Sequence, residues 1–233
     1  MKKLIFIDDN FEILNAQITK MKELLKDDGN RDVELSSLQC DLSSAPDCLD
    51  NQGEIAHPSD PSYQQANQTL ENIVETIHDI INEGTVEKVE LVIDLLLDDK
   101  DETLGFKLVK YILSHVDKTW FDQCRLVITI TSSYRSADFS NLKSQFLSPE
   151  EQDKIIECYR PIVINENGQV EFNTALTAFP RFYAQFHIDE TSSFRSVNKL
   201  LLDKDSVPGN TGTHYGNYFG LIYARLYKDE RAM

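Results

Sequence analysis

The run Leu91-Val92-Ile93-Asp94-Leu95-Leu96-Leu97 constrains this chain more than any other stretch. Nearly unbroken apolar sequence of this length, flanked by polar segments, predicts a strand buried on both faces of a parallel sheet. A carboxylate inside such a strand is costly unless it stands at the strand end, in a solvated or cation-filled pocket. Leu4-Ile5-Phe6-Ile7-Asp8-Asp9-Asn10 is a second apolar run that ends in acids. Two adjacent strands finishing at the same sheet edge would bring Asp8, Asp9 and Asp94 together.

A chain of 233 residues suits one enlarged domain or one and a half, taking about 150 residues per domain. Its hydrophobic content of 41% is enough for a core. The net charge of -16 argues against direct binding to nucleic acid or anionic membrane, which demand clusters of Lys and Arg. It admits divalent cations and basic protein partners. No stretch reaches the ~18 apolar residues of a membrane span, and the acids at positions 8 and 9 interrupt the one run that starts like a signal peptide. Cys40, Cys48, Cys124 and Cys158 form no C-x-x-C pair, so the expectation is a reduced, cytoplasmic protein without a zinc site. The five histidines are scattered and show no metal-ligand spacing.

In chain order, residues 3–9 predict a first strand. Leu14, Ile18, Met21 and Leu25 then form one face of a helix over 11–26, capped by Asn10 and stopped by Asp27-Asp28-Gly29-Asn30. Residues 32–40 predict a weaker strand at a sheet edge. Residues 41–62 are polar and aperiodic, with Pro46, Pro58 and Pro61. A loop this long in a compact domain is usually functional or disordered. It follows a strand, which in an open α/β sheet places it where ligands bind. It therefore reads either as a lid over the acidic pocket or as a loose insertion.

Leu70, Ile73, Val74, Ile77 and Ile81 predict a helix over 63–83, ahead of the central strand over 89–97. Asp98-Asp99-Lys100-Asp101-Glu102 is a charged turn before a helix over 104–116, and residues 125–131 predict a fourth strand. Repeated strand–helix alternation implies parallel strands with right-handed crossovers. Beyond residue 133 the pattern loosens. Ser148-Pro149-Glu150-Glu151 is a capping box with Pro at the first helical position, predicting a short helix to about Cys158. Residues 161–164 and 169–172 read as strands around Asn165-Glu166-Asn167-Gly168. A helix over 174–187, broken near Pro180, and another over 215–228 complete the prediction.

The first strand ending in Asp8-Asp9, the buried-strand Asp94, Gly105 opening the next helix and the strand-end Thr131 resemble, in order, a response-regulator receiver domain. The resemblance covers roughly residues 1–135. It implies a flavodoxin-like α/β fold, an open parallel sheet of strand order 2-1-3-4-5 with helices on both faces. A receiver-like domain would then span 1–165 with the 41–62 insertion, and 166–233 would be an irregular C-terminal extension packed on it.

The residue chemistry agrees with this resemblance. Mg²⁺ takes oxygen ligands and keeps several waters, so one or two carboxylates suffice. Asp9 and Asp94 would supply them, with Asp8 acting mainly through water. The resemblance implies a further ligand in a backbone carbonyl near Leu96, and makes Asp94 the phosphoryl acceptor and Thr131 a hydrogen-bond donor to the phosphoryl group. A carboxylate is a competent nucleophile towards phosphorus. The expected partners are a histidine kinase or phosphorelay protein and a downstream protein. No basic recognition helix follows, so direct DNA binding is not expected.

Two departures stand out. Arg160-Pro161 occupies the place of the family's Lys-Pro, behind a predicted helix where the family has a strand. Arg and Lys do not bind phosphate in the same way. Asp98 stands where the family usually has proline. These differences favour an alternative, a degenerate receiver acting as a phosphorylation-independent interaction module. An enzyme of the haloacid-dehalogenase type needs Asp-x-Asp for its general acid/base. This chain has Asn10 at that position, so a switch rather than an enzyme is expected.

Overall fold

The computed structural model describes residues 1–27, 33–45, 47–97, 101, 103–123, 125–132, 139–159, 162–164 and 170–172. The elements are β1 (Lys2–Asp8), α1 (Phe11–Asp27), β2 (Val33–Gln39), α2 (Gln64–Asn82) and β3 (Lys88–Asp94). They continue with α3 (Leu104–His115), α4 (Lys118–Asp122), β4 (Leu126–Ser132), α5 (Phe139–Phe146), α6 (Pro149–Lys154) and β5 (Ile156–Tyr159). A hairpin of β6 (Ile162–Ile164) and β7 (Val170–Phe172) closes the described chain. The helices expected over 174–187 and 215–228 lie outside the described residues.

The strands β2-β1-β3-β4 form a parallel sheet, and β5 pairs parallel along the outer side of β4. This arrangement is compatible with a flavodoxin-like α/β fold. β1 and β3 are buried along their whole length, as their apolar runs require, whereas β2 is half-exposed at the sheet edge. Among the described residues no helix is long and apolar enough to cross a membrane.

The main core lies on one sheet face. Ile5 and Ile7 of β1, Leu91 and Ile93 of β3, and Ile128 and Ile130 of β4 pack there with the apolar stripes of α2 and α3. Leu4, Phe6, Val92 and Val127 are buried outside that cluster, on the opposite face by the period-two alternation of strands. Ile13 and Leu14 of α1 are also buried outside it. This is the two-sided cover that right-handed crossovers on either side of β1 produce.

Three segments depart from the sequence reading. The helix opened by Ser148 does carry its capping box, but it ends at Lys154 rather than near Cys158. Ile155 leaves the helix in extended conformation, and Ile156–Tyr159 pairs with Thr129–Ser132. Ladder pairing outweighs propagation of so short a helix. The two short helices α4 and α5 arise where no element was predicted. Finally, the segment over 41–62 is built into the core. Leu42, Ala45, Cys48 and Leu49 are buried in the main cluster, and Leu49 bridges Ile55. Gly53, at φ 77°, lies directly against α3. A Cβ there would stand 2.5 Å from Lys110 Cβ and 2.7 Å from the Tyr111 nitrogen, so the close approach depends on glycine.

Candidate metal centre

The site is built where β1 and β3 stop. Alternation puts Lys2, Leu4, Phe6 and Asp8 on one side of β1, so the strand ends with a carboxylate on the face opposite the main core. Asp8 is fully buried, and its Oδ1 accepts a hydrogen bond from the Asn10 N–H at 2.9 Å. Asn10 in turn caps α1, its Oδ1 accepting from the Glu12 N–H at 2.9 Å and the Ile13 N–H at 3.2 Å. The Asp8 carbonyl accepts from the Cys40 N–H at 2.9 Å, and the Asp9 carbonyl from Gln39 Nε2 at 3.1 Å. These bonds tie the acid pair to the end of β2.

Asp94 closes β3 and is 5% exposed. Thr131 lies beside it in register on β4, and the ladder continues one residue further as Leu95 N–H donates to the Thr131 carbonyl at 2.7 Å. The buried Thr131 hydroxyl donates to the Ile93 carbonyl at 3.3 Å. Gly105 brings α3 up behind this edge, its N–H donating to the Leu95 carbonyl at 3.1 Å. A Cβ on Gly105 would lie 2.6 Å from the Asp94 carbonyl oxygen, so only glycine fits without displacing backbone.

The three acids predicted to meet do so. Asp8, Asp9 and Asp94 each offer a carboxylate oxygen, and these oxygens lie within 4.8 Å of one another. Three carboxylates this close could hold a hard divalent cation. All the donors are oxygen, two of the acids are buried and Asp9 is partly open, a set that fits Mg²⁺ with water completing its shell. Leu96 sits half-buried in the turn after β3. Arg160 lies outside the described residues. Ile156–Tyr159, expected as the end of a helix, pairs with β4 instead, with Cys158 in register with Thr131.

The sequence reading missed a second polar group, at the start of α3. Asp101 Oδ1 accepts from both the N–H and the hydroxyl of Thr103, and its Oδ2 accepts from Lys107 Nζ at 2.8 Å. Burial opposes ionisation of Asp101, but Lys107 and the Thr103 bonds outweigh it and hold the carboxyl below its usual range. The Asp-x-Thr spacing just ahead of an apolar helix was the available signal, because Asp at that offset closes a turn through the backbone N–H two residues on. Cys40 and Cys48, by contrast, are buried free thiols. Burial pushes both up, Cys48 to about 11, which keeps them protonated and unreactive at neutral pH.

No family model, curated protein or solved structure matches this chain.

Proposed function

We propose that this protein is a receiver-like signalling switch of flavodoxin-like fold, in which Asp94 accepts a phosphoryl group in a Mg²⁺-dependent reaction. The observation that carries this reading is the meeting of Asp8, Asp9 and Asp94 at one sheet edge with Thr131 in register beside the acceptor. Asp9 and Asp94 would hold the cation with Asp8 behind them, and the Leu96 carbonyl would complement them. The bound ion supplies charge neutralisation at the phosphoryl oxygens.

The chain's own residues do the rest. An Asp94 carboxylate oxygen forms the new bond to phosphorus while the bond from phosphorus to the donor's nitrogen or oxygen breaks, and the departing group takes up a proton. Gly105 and the Leu95–Thr131 bond hold the Asp94 backbone still. Thr131 releases the Ile93 carbonyl and donates to a phosphoryl oxygen, which carries the charge change into β4 and the segment after it. Arg160, following β5, is the candidate cation for the same oxygens. The donor would be a histidine kinase or phosphorelay protein, and the output a protein contact.

Intact-mass measurement with a small phosphodonor tests this. Wild type gains one phosphoryl group in Mg²⁺, and neither Asp94→Asn nor EDTA-treated protein does. A wild type that stays unmodified would leave the phosphorylation-independent interaction module as the better reading.

A further inference from the structure

The ends of β1 and β3 are joined by a second route besides the sheet itself. It begins at Asp8, whose carbonyl accepts from the Cys40 N–H at 2.9 Å. The chain then turns through the buried Leu42, Ala45 and Cys48, with Ala45 N–H donating to the Leu42 carbonyl at 2.9 Å and Cys48 N–H to the Ala45 carbonyl at 3.0 Å. The loop that follows is closed on itself. Leu49 bridges Ile55, and Ala56 N–H donates to the Cys48 carbonyl at 2.8 Å. Asp50 Oδ1 accepts from the Gln52 and Glu54 N–H groups at 2.8 and 3.0 Å, and the Asp50 carbonyl from the Gly53 N–H at 3.0 Å. These bonds present Gly53 to α3 at a fixed point, against the Lys107 carbonyl, Lys110 Cβ and the Tyr111 nitrogen. The first turn of the same helix closes the route. Gly105 N–H donates to the Leu95 carbonyl at 3.1 Å, and a Cβ on Gly105 would meet the Asp94 and Leu95 backbone. α3 is thus gripped by two glycine contacts, one from the segment after β2 and one from the end of β3. Contacts this close leave little slack to absorb a displacement.

We infer that the segment after β2 is a brace between the two strand ends, and that Gly53 is a positioning residue which sets, through α3, where the Asp94 backbone stands. The consequence for cation affinity rests on the reading of Asp8, Asp9 and Asp94 as a cation site, whereas the brace can be read without any metal. A Cβ at Gly53 pushes α3 away from the loop and loads the Gly105–Leu95 bond. A contact that merely packs the loop would leave that bond alone, or would weaken the whole fold evenly.

The test is amide hydrogen exchange in the metal-free full chain, resolved by NMR. In Gly53→Ala the Gly105 amide exchanges roughly tenfold faster than in wild type, because alanine is strained at positive φ and opens this contact locally. The Val89 amide, held by the Arg125 carbonyl at the opposite end of β3, keeps its wild-type rate. Gly84→Ala changes neither, since a Cβ there meets nothing within 4 Å. An unchanged Gly105 rate in Gly53→Ala, or equal acceleration at Gly105 and Val89, overturns the brace. Should Gly53→Ala fail to fold, Asp50→Ala serves in its place, because it removes the acceptor that shapes the Gly53 turn. The same pattern is expected there, and an unchanged Gly105 rate again overturns the brace. Mn²⁺ titration followed by electron paramagnetic resonance reads the consequence at the acids. Wild type binds, and Gly53→Ala binds roughly tenfold more weakly, the low end for residues that orient metal ligands. Equal affinity overturns the positioning of Asp94 by Gly53. Wild type that binds no Mn²⁺ overturns the cation reading and leaves the brace to be decided by exchange alone.

Discussion

The two faces of the central sheet use the same strands for opposite purposes. On one face, Ile5, Ile7, Val89, Leu91, Ile93, Leu126, Ile128 and Ile130 form a continuous apolar layer under α2 and α3. On the other, apolar Leu4, Phe6, Val92 and Val127 alternate with buried Lys2, Asp8, Lys88, Glu90, Asp94, Thr129 and Thr131. Both faces exclude water. The first face buries one charged group, Lys3, which pairs with Glu34 and Glu83, whereas the second carries most of the buried charged groups and their desolvation cost. Glu90 is fully buried, and its Oε1 accepts from the Thr129 hydroxyl at 3.0 Å, a diagonal contact two residues below Thr131 on β4 and four below Asp94 on β3. The apolar face holds the fold together, and the polar face ends in the candidate site.

Breaking the apolar face should have the largest effect. Phe106 is fully buried and stacks on Phe146 at 6.0 Å between ring centroids. Phe106→Ala should destabilise by about 3–5 kcal/mol, read from urea denaturation. A smaller loss would mean that this face repacks easily. On the polar face, Thr129→Val keeps the side-chain shape but removes the donor to Glu90. It should cost about 1–3 kcal/mol in the same assay, because a buried acceptor loses its partner. The smallest effect should have the opposite sign. In metal-free protein, Asp94→Asn should stabilise by about 1 kcal/mol, since it removes one of three carboxylates whose oxygens lie within 4.8 Å of one another. Added Mg²⁺ should then raise the melting temperature of wild type and not of the variant. A destabilised metal-free Asp94→Asn would show that the carboxylate is a structural acceptor rather than a strained ligand.

Much of this was legible in the residues. The apolar runs at Leu4–Ile7 and Leu91–Ile93 exclude any placement but interior strands, and the helical spacing of Leu70, Ile73, Val74 and Ile77 identifies the buried stripe of α2. Asn10 reads as a cap and serves as one. The weak places were short or mixed. Ile156–Tyr159 contains Glu and Cys and follows directly on a capped helix, so only its pairing with β4 makes it a strand. Residues 41–62 look like solvent-exposed loop because their buried Leu42, Ala45, Cys48 and Leu49 have no period. They are held by contacts with α2 and α3, not by local structure.

The sequence by itself determined that Asp8, Asp9 and Asp94 stand at strand ends, because an acid that interrupts an apolar strand is tolerable only where water or a cation can reach it. Tertiary structure alone decided that β1 and β3 are neighbours in register, which brings carboxylates more than eighty residues apart within 4.8 Å of one another. It also decided that Lys107 reaches Asp101 and that Glu90 lies inside the sheet's polar face. Local patterns encode burial and period, whereas the partner of a charge depends on which distant element folds against it.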